Sequence, residues 1–409
     1  MKTISGGVCA PKGFKAGGIW CGIKASVRPK DGSKKKDLAL IYSEKSCAAA
    51  AMFTTNRVKA ASVLVSQKHL AGGKLHAVIA NSGNANACTG EAGLAAARRM
   101  AELAADEFAV PPGTVAVAST GVIGVPLPIA AIESSIAALA NSLRGDEAGH
   151  AAALEAIMTT DTRKKEIAVE LECGARIGGM AKGSGMIHPN MATMLCFLTT
   201  DVSISRELLE AALRRAVGRS FNRVTVDGDT STNDMALIMA NGASGVTIRE
   251  GSAEYTAFAE ALEAACVHLA RAMARDGEGA TKLVTVTVNG AADEKTAEIL
   301  AKSVASSSLV KAACFGADAN WGRILCAMGY SGAEFDPGAV KVSFKSKAGE
   351  IAVCSNGGPL PFSEEKAKAV LSEEEIEIII GIAASGGAAS AWGCDLTYDY
   401  VKINGDYRS

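Results

Sequence analysis

The chain has 409 residues, enough for one large domain or two to three ordinary ones. Its 42 Lys and Arg residues nearly balance its 43 Asp and Glu residues, and they are scattered, so no charge pattern indicates nucleic acid or an anionic membrane as partner. That charge balance leaves small-molecule chemistry or protein contacts as the expected roles. Neither the apolar core of a signal peptide nor a membrane-length apolar run is present, so we expect a cytoplasmic protein.

Short β-branched runs alternate along the chain with alanine-rich amphipathic segments. The β-branched runs predict strands at 74–81, 113–120, 165–172, 282–290 and 375–383. The alanine-rich segments predict helices at 90–108, 205–220 and 254–275. Ser205 is placed to cap the second of these helices. The alternation indicates an α/β or α+β protein in which helices cover sheets, and no linker composition marks a domain boundary.

The segment 182–201, KGSGMIHPNMATMLCFLTTD, changes from a glycine-rich loop to a strand-like run at Thr193. A threonine at the start of a strand is far more often structural than catalytic. The preceding glycines and Pro189, however, allow a distorted backbone in which the Thr193 hydroxyl could attack the carbonyl of Ala192. Cleavage there would leave Thr193 as a new N-terminus, whose α-amine has an intrinsic pKa of about 7.7–8.0 and can act as base to its own hydroxyl.

Attack on a carbonyl also requires hydrogen-bond donors for the developing oxyanion. The segment 115–128, VAVASTGVIGVPLP, predicts a strand that runs into Thr120 and Gly121, where a hydroxyl and an unhindered backbone N–H could converge. Taken alone, this pattern is more typical of an ordinary glycine turn after a strand. Only its combination with the Thr193 segment favours a catalytic interpretation.

Other polar or glycine-rich motifs do not indicate a cofactor. The segment 226–234, VDGDTSTND, contains three aspartates but lacks the spacing of a calcium loop, so we predict a turn that leads into a strand. The glycine clusters match neither a phosphate-binding loop nor a dinucleotide-binding unit. The five histidines lack metal-ligand spacing. We therefore expect no metal and no cofactor.

Several long motifs resemble one known family, the glutamate N-acetyltransferases, which are the ornithine acetyltransferases of arginine biosynthesis. The resemblance extends along nearly the whole chain and includes KGSGMIHPNMATML at 182–195, FTTNRVKAA at 53–61, NSGNANACTG at 81–90, STGVIG at 119–124 and FGADANWGRI at 315–324. It implies a layered sandwich of helices over stacked sheets, shared with the self-cleaving DmpA-like aminopeptidases. It also implies cleavage between Ala192 and Thr193 into an α chain of residues 1–192 and a β chain of residues 193–409, which stay together as α2β2.

The resemblance assigns roles to particular residues. Thr193 corresponds to the nucleophile, and Thr120 and Gly121 correspond to the oxyanion-binding pair. The substrate-binding positions correspond to Thr159, Lys182, Thr193, Glu278, Asn404 and Ser409. The implied substrates, N2-acetyl-L-ornithine and L-glutamate, carry carboxylate and ammonium groups, so we expect Lys182 to contact a carboxylate and Glu278 to contact or orient the ornithine ammonium.

The residues leave alternatives open. Water in place of glutamate would make the chain a self-cleaving amidase or aminopeptidase, although those relatives use serine as nucleophile. A binding protein without catalysis would retain the glycine loops but would not cleave itself. No residue decides whether acetyl-CoA is also accepted as an acetyl donor, which would make the enzyme bifunctional.

Overall fold

The structure, a computed structural model, describes residues 1–24, 34–188, 194–383 and 386–406. Ala192, Thr193 and Ser409 lie outside the described residues, as does the position at which the sequence predicts cleavage. The six other residues with implied roles lie within them.

A first, mixed sheet is formed mainly from the N-terminal half of the chain. Its strands are β1 (Lys2–Thr3), β2 (Phe14–Ile19), β3 (Leu38–Phe53), β4 (Lys74–Asn84), β5 (Val115–Val122), β6 (Lys165–Glu170), β7 (Arg176–Lys182), β8 (Leu195–Thr200) and β9 (Met235–Ala240). They are ordered β1-β6-β7-β8-β9-β3-β4-β5, with β2 paired to β3. The pairs β4–β5 and β8–β9 are parallel, and the other pairs are antiparallel.

A second sheet is formed by the C-terminal part. Its strands are β10 (Leu283–Ala291), β11 (Lys341–Ser346), β12 (Gly349–Ser355), β13 (Gly358–Pro359), β14 (Glu375–Gly381) and β15 (Gly387–Cys394). Their order is β13-β12-β11-β14-β10-β15, in which only β10 and β14 are parallel among the described strands. Apolar side chains of this sheet form a core with the helices that follow β10.

Helices cover both sheets. They are α1 (Ala61–Leu70), α2 (Gly90–Phe108), α3 (Ile129–Glu133), α4 (Ile136–Asn141), α5 (Glu147–Ile157), α6 (Arg206–Arg219), α7 (Ala253–Arg275), α8 (Glu294–Ser306), α9 (Ser308–Phe315), α10 (Trp321–Gly329), α11 (Glu364–Leu371) and α12 (Tyr398–Asp406). Residues of α6 and α7 share one core with β7, β8 and β9. None of the helices in the described ranges is long and apolar enough to cross a membrane.

The predicted elements are confirmed. The five predicted strands correspond to β4, β5, β6, β10 and β14, and the three predicted helices correspond to α2, α6 and α7. Ser205 caps α6 as predicted, accepting a hydrogen bond from Leu208 N. The α/β class with helices over sheets is therefore confirmed, and β4 extends three residues beyond its prediction because residues 82–84 continue to pair with β5.

The strand after the predicted cleavage point begins at Leu195. It lies between β7 and β9, and all six of its residues are buried. Lys182, the last residue of β7, pairs with Leu195, and Met235, the first residue of β9, pairs with Leu195 from the other side. The end of β7 and the starts of β8 and β9 therefore lie together at one edge of the sheet.

Candidate active site

A cavity of about 200 Å³ lies at this edge of the first sheet. Its lining includes all six described residues to which the sequence assigns a role: Thr120, Gly121, Thr159, Lys182, Glu278 and Asn404. These residues come from β5, β7, α12 and two loops, and they span 285 positions of the chain from 120 to 404. The fold thus brings together residues that are far apart in sequence.

Lys182 places a positive charge in the cavity. Its side chain is buried, and its Nζ donates a hydrogen bond to Thr120 Oγ1 at 3.3 Å. Burial lowers the pKa of Lys182, and the nearby carboxylate of Asp161 opposes that shift. The ammonium group therefore lies next to the hydroxyl that the sequence assigns to oxyanion binding.

Gly121 has a backbone conformation that requires glycine. Its φ is +133°, and a Cβ at this position would lie 2.4 Å from the carbonyl carbon of Gly83 on the paired strand β4. Because the Gly83 carbonyl carbon belongs to the backbone of a paired strand, it could not move aside without a large cost in free energy. The Thr120–Gly121 peptide is thus held close to β4 by a contact that only glycine permits.

Glu278 places a carboxylate in the same cavity. Its backbone N–H donates to Ser184 O at 2.8 Å, and its Oε2 accepts a hydrogen bond from Asn404 Nδ2 at 2.9 Å. A Cβ on Gly185 would lie only 2.3 Å from Glu278 Oε2, so the glycine loop leaves room for this carboxylate. Lys182 and Glu278 together give the cavity one cationic and one anionic group.

Replacing Gly185 with alanine should displace the Glu278 carboxylate. Because the carboxylate is the flexible end of a side chain, we expect it to move rather than the backbone, with little loss of stability. Loss of a correctly placed charged contact is worth about 1.4 kcal/mol or more, so KM for an ammonium-bearing substrate should rise about tenfold. Steady-state kinetics at fixed enzyme concentration measures this.

The matched control is Gly218→Ala in α6. A Cβ there meets nothing within 4 Å, so KM should stay at the wild-type value. An unchanged KM in Gly185→Ala would contradict the placement of Glu278 against the substrate.

A buried ionic network holds two of the segments that form the cavity. Lys165 Nζ contacts Asp161 Oδ1 at 2.7 Å and Asp276 Oδ2 at 2.6 Å, and the three side chains are at most 2% exposed. Asp161 also accepts hydrogen bonds from Thr159 N at 3.0 Å and Gly183 N at 2.7 Å. Burial alone would raise the pKa of Asp161, but the ammonium groups of Lys182 and Lys165 lower it below its usual range. The network thus holds Thr159 and the residue after Lys182 in position.

Two further residues position the site. Asn233 Nδ2 donates to Ala85 O at 2.6 Å and Ser119 O at 2.8 Å, which joins the loop before β9 to the end of β5. Lys24 Nζ donates to Met158 O at 2.6 Å, next to Thr159, and burial lowers the pKa of Lys24 to about 8. The sequence analysis assigned no role to Lys24, Asp161, Lys165 or Asp276, because a charged residue in a polar segment gives no sign of burial. Asn233, in contrast, lies inside the segment 226–234 discussed there.

The residues on both sides of the predicted cleavage point are held by the segment 226–234. Asp227 accepts hydrogen bonds from Met186 N at 2.6 Å and Ile187 N at 2.8 Å. Asp234 Oδ1 accepts one from Met194 N at 2.7 Å. The predicted turn leading into a strand is confirmed, since β9 begins at Met235. Among the described residues, no group of His, Cys, Asp or Glu side chains could hold a metal ion.

Comparison with known proteins assigns the chain to a family. The model of the ArgJ family matches residues 15–409. The chain belongs to the ArgJ family. It is 54% identical over 413 residues to the arginine biosynthesis bifunctional protein ArgJ of Symbiobacterium thermophilum, covering 100% of both chains.

Two other ArgJ-family relatives are also similar over their whole length. The chain is 50% identical over 413 residues to the arginine biosynthesis bifunctional protein ArgJ of Caldanaerobacter subterraneus subsp. tengcongensis, covering 100% of both chains. It is 49% identical over 417 residues to the glutamate N-acetyltransferase of Methanothermobacter thermautotrophicus, covering 100% of this chain and 99% of the relative. The resemblance stated from the sequence motifs is confirmed.

Proposed function

We propose that this ArgJ-family chain is an acyltransferase that moves an acetyl group from N2-acetyl-L-ornithine to L-glutamate, giving L-ornithine and N-acetyl-L-glutamate. The names of its relatives, an arginine biosynthesis protein and a glutamate N-acetyltransferase, support this assignment. The structural observation that supports it is that six residues line one and the same cavity: Thr120, Gly121, Thr159, Lys182, Glu278 and Asn404.

The nucleophile in this proposal is Thr193 after cleavage of the Ala192–Thr193 bond. Thr193 lies two residues before Leu195, whose partner in the sheet is the cavity residue Lys182. Its free α-amine accepts the hydroxyl proton as Oγ attacks the acetyl carbonyl of N2-acetylornithine. The amide C–N bond then breaks, the proton passes to the departing ornithine nitrogen, and an acetyl ester remains on Thr193.

The second half of the reaction reverses these roles. The amine of glutamate attacks the ester carbonyl, and the new amide C–N bond forms as the ester C–O bond breaks. The proton lost by the glutamate amine passes through the Thr193 α-amine to Thr193 Oγ. Both half-reactions pass through a negatively charged tetrahedral intermediate, for which Thr120 and Gly121 supply the hydrogen-bond donors. The ammonium of Lys182, 3.3 Å from Thr120 Oγ1, stabilises negative charge in the same region.

The charges of the cavity suit amino-acid substrates. Both substrates carry carboxylates, which Lys182 can bind through a charge-assisted hydrogen bond. Ornithine also carries a side-chain ammonium, for which the Glu278 carboxylate, held by Asn404, is the complementary group. Ser409 completes the proposed binding set.

The proposed reaction requires no cofactor. We place the enzyme in the cytoplasm as an α2β2 assembly of the chains 1–192 and 193–409. The name "bifunctional" among the relatives supports acetyl-CoA as a second acetyl donor for glutamate.

Initial-rate kinetics and intact mass test the proposal together. Parallel lines in double-reciprocal plots with N2-acetylornithine and glutamate, and a β chain heavier by one acetyl group when glutamate is omitted, are the expected results. Intersecting lines with no acetylated β chain would contradict the two-step exchange. Release of free acetate at the same rate with and without glutamate would identify an amidase instead. Acetyl-CoA and glutamate as sole substrates test the second donor.

A further inference from the structure

The two substrates of the proposed reaction differ in charge at the end of the side chain. Both carry the acetyl group on the α-nitrogen, so the α-carboxylate is equally close to the reacting atoms in both, where Lys182 lies beside Thr120. The side chain of ornithine ends in an ammonium, whereas that of glutamate ends in a carboxylate. Glu278 attracts the first and repels the second. Glutamate therefore needs a cation that ornithine does not use.

A second cavity lies beside the active-site cavity. Its volume is about 510 Å³, and Thr160 and Glu278 line both cavities. Ser184 joins these two residues, because its Oγ lies 2.7 Å from Thr160 Oγ1 and its carbonyl accepts a hydrogen bond from Glu278 N at 2.8 Å. Thr160 and Glu278 therefore lie at the boundary between the two cavities.

Two cations in the lining of the second cavity are available to a ligand. The side chains of Arg163 and Lys402 are exposed, and neither forms a hydrogen bond or an ion pair within the described ranges. Arg275 also lines the cavity, but its guanidinium contacts Glu374 and donates to Thr281 O at 3.0 Å. Arg163 and Lys402 are thus the cations that can turn towards a bound anion.

Both cations belong to segments that lie next to Glu278. The backbone N–H of Arg163 donates to Asp276 Oδ2 at 3.2 Å, so the buried ionic network fixes the position from which its side chain extends. Lys402 lies on α12, which also supplies the hydrogen bond from Asn404 to Glu278. The same helix lines the second cavity with Lys402 and the active-site cavity with Asn404.

Acidic residues in the lining do not cancel this positive charge. Asp276 is balanced by Lys165, whose Nζ lies 2.6 Å from Asp276 Oδ2. Asp399 is the other carboxylate of the lining besides Glu278, and it is exposed on α12, where water screens its charge. The two available cations therefore outnumber the one carboxylate that remains unpaired beyond the boundary.

We propose that Arg163 and Lys402, reaching from the second cavity, bind the side-chain carboxylate of glutamate at the boundary between the two cavities. This inference rests on the proposed function, because it concerns the acceptor of the acetyl group. The side chains of glutamate and ornithine have the same reach from Cα to their terminal oxygen or nitrogen, so both end near Glu278. The long side chains of arginine and lysine can approach that point from the other side.

The arrangement lets one site accept substrates of opposite charge in turn. Ornithine is bound through Glu278, while the two cations remain in solvent. Glutamate instead draws the cations towards its carboxylate, and the planar fork of Arg163 can donate two parallel hydrogen bonds to it. Arg163 and Lys402 thus determine the specificity for the acceptor and leave the recognition of the donor to Glu278.

Acceptor specificity tests this inference. Arg163→Gln, Lys402→Gln and the double variant remove the charges and keep polar side chains. The measured quantity is the ratio of kcat/KM for glutamate to kcat/KM for glutamine, with N2-acetylornithine as donor. Glutamine has the shape of glutamate without its charge, so effects on folding, cleavage or chemistry cancel in the ratio. Each single variant should lower the ratio about fivefold, and the double variant about 25-fold.

Two controls accompany these variants. The kcat/KM for N2-acetylornithine should not fall in any of them, because its side chain is a cation. Arg214→Gln removes a positive charge on α6 that lines neither cavity and pairs with Glu210 at 2.8 Å on the surface. Its ratio should equal that of the wild type.

The outcomes separate this inference from the proposed function. A wild type that transfers no acetyl group to glutamate would overturn the proposed function itself. A wild type that transfers it, together with a double variant that keeps the wild-type ratio, would overturn only the role of the two cations. A fall in one single variant alone would assign the contact to that residue and overturn the role of the other.

The wild type provides a second test that holds even if the variants fail to fold. Because Arg163 and Lys402 are exposed, added salt should screen their attraction for glutamate, and the ratio of glutamate to glutamine should fall as ionic strength rises. A ratio that is independent of salt, or equal use of the two acceptors, would overturn the inference.

Discussion

Replacing Thr193 with alanine is expected to leave one unbroken chain of 41.7 kDa, while the wild type separates under denaturing conditions into two chains, the second beginning at Thr193. Alanine has no hydroxyl to attack the Ala192 carbonyl, so neither the ester nor the free α-amine forms. Acetyl transfer should fall by about 10⁶-fold, the scale seen when a catalytic nucleophile is removed. Intact mass and the acetylornithine–glutamate exchange assay measure the two effects on one preparation.

Thr256→Ala is a suitable control, because Thr256 is exposed on α7. It should cleave and transfer acetyl like the wild type. Two chains in Thr193→Ala would show that the nucleophile of cleavage is another residue, and a single chain in the wild type would remove the support for Thr193 as an N-terminal nucleophile.

Replacing Lys165 with methionine is expected to lower the free energy of unfolding by about 3–5 kcal/mol, because it leaves two buried carboxylates, Asp161 and Asp276, without their shared cation. Both carboxylates would then repel each other in an environment that does not solvate them. Denaturant unfolding in the Thr193→Ala background measures the change on a single uncleaved chain. The activity of the otherwise wild-type Lys165→Met should fall as well, because Asp161 holds Thr159 and Gly183.

Lys15→Met provides the contrast, since Lys15 pairs with Glu44 at 2.6 Å on the surface, with side chains 46% and 65% exposed. Loss of this exposed pair should leave the free energy of unfolding nearly unchanged, because solvent screens the two charges. Equal effects of the two substitutions would contradict the structural importance of the buried network. Adding Asp161→Asn to Lys165→Met should recover part of the lost stability, because one uncompensated charge is removed.

Local sequence patterns predicted the regular elements with strong periodicity. Helix α2 begins and ends at the predicted residues, and the cap of α6 is the predicted Ser205. Strand β3 shows where such patterns fail. Its residues 48–51 are alanines, which intrinsically favour helix, yet they form a strand because they pair with Leu237–Ala240 of β9. A neighbouring strand that lies far away in sequence overrides local preference.

The sequence motifs also identified several of the candidate active-site residues. Thr120, Gly121 and Lys182 lie in segments whose glycines or hydroxyls mark them as unusual. The resemblance to one family assigned roles to these residues and to Glu278. The structure places them in one cavity with Thr159 and Asn404. Their contact, such as the 3.3 Å between Lys182 Nζ and Thr120 Oγ1, depends on strand order, which no local pattern encodes.

The sequence by itself therefore determined the class of fold, the family and the residues proposed to react. Only the tertiary structure decided which charges are buried and what they support. Nothing in the sequence shows that Lys165 and Asp276 are buried, because local composition does not report solvent exposure. These residues contribute strongly to stability because segments from distant parts of the chain pack around them and exclude water. A buried charge that water no longer solvates raises the free energy of the fold unless other protein groups pair with it.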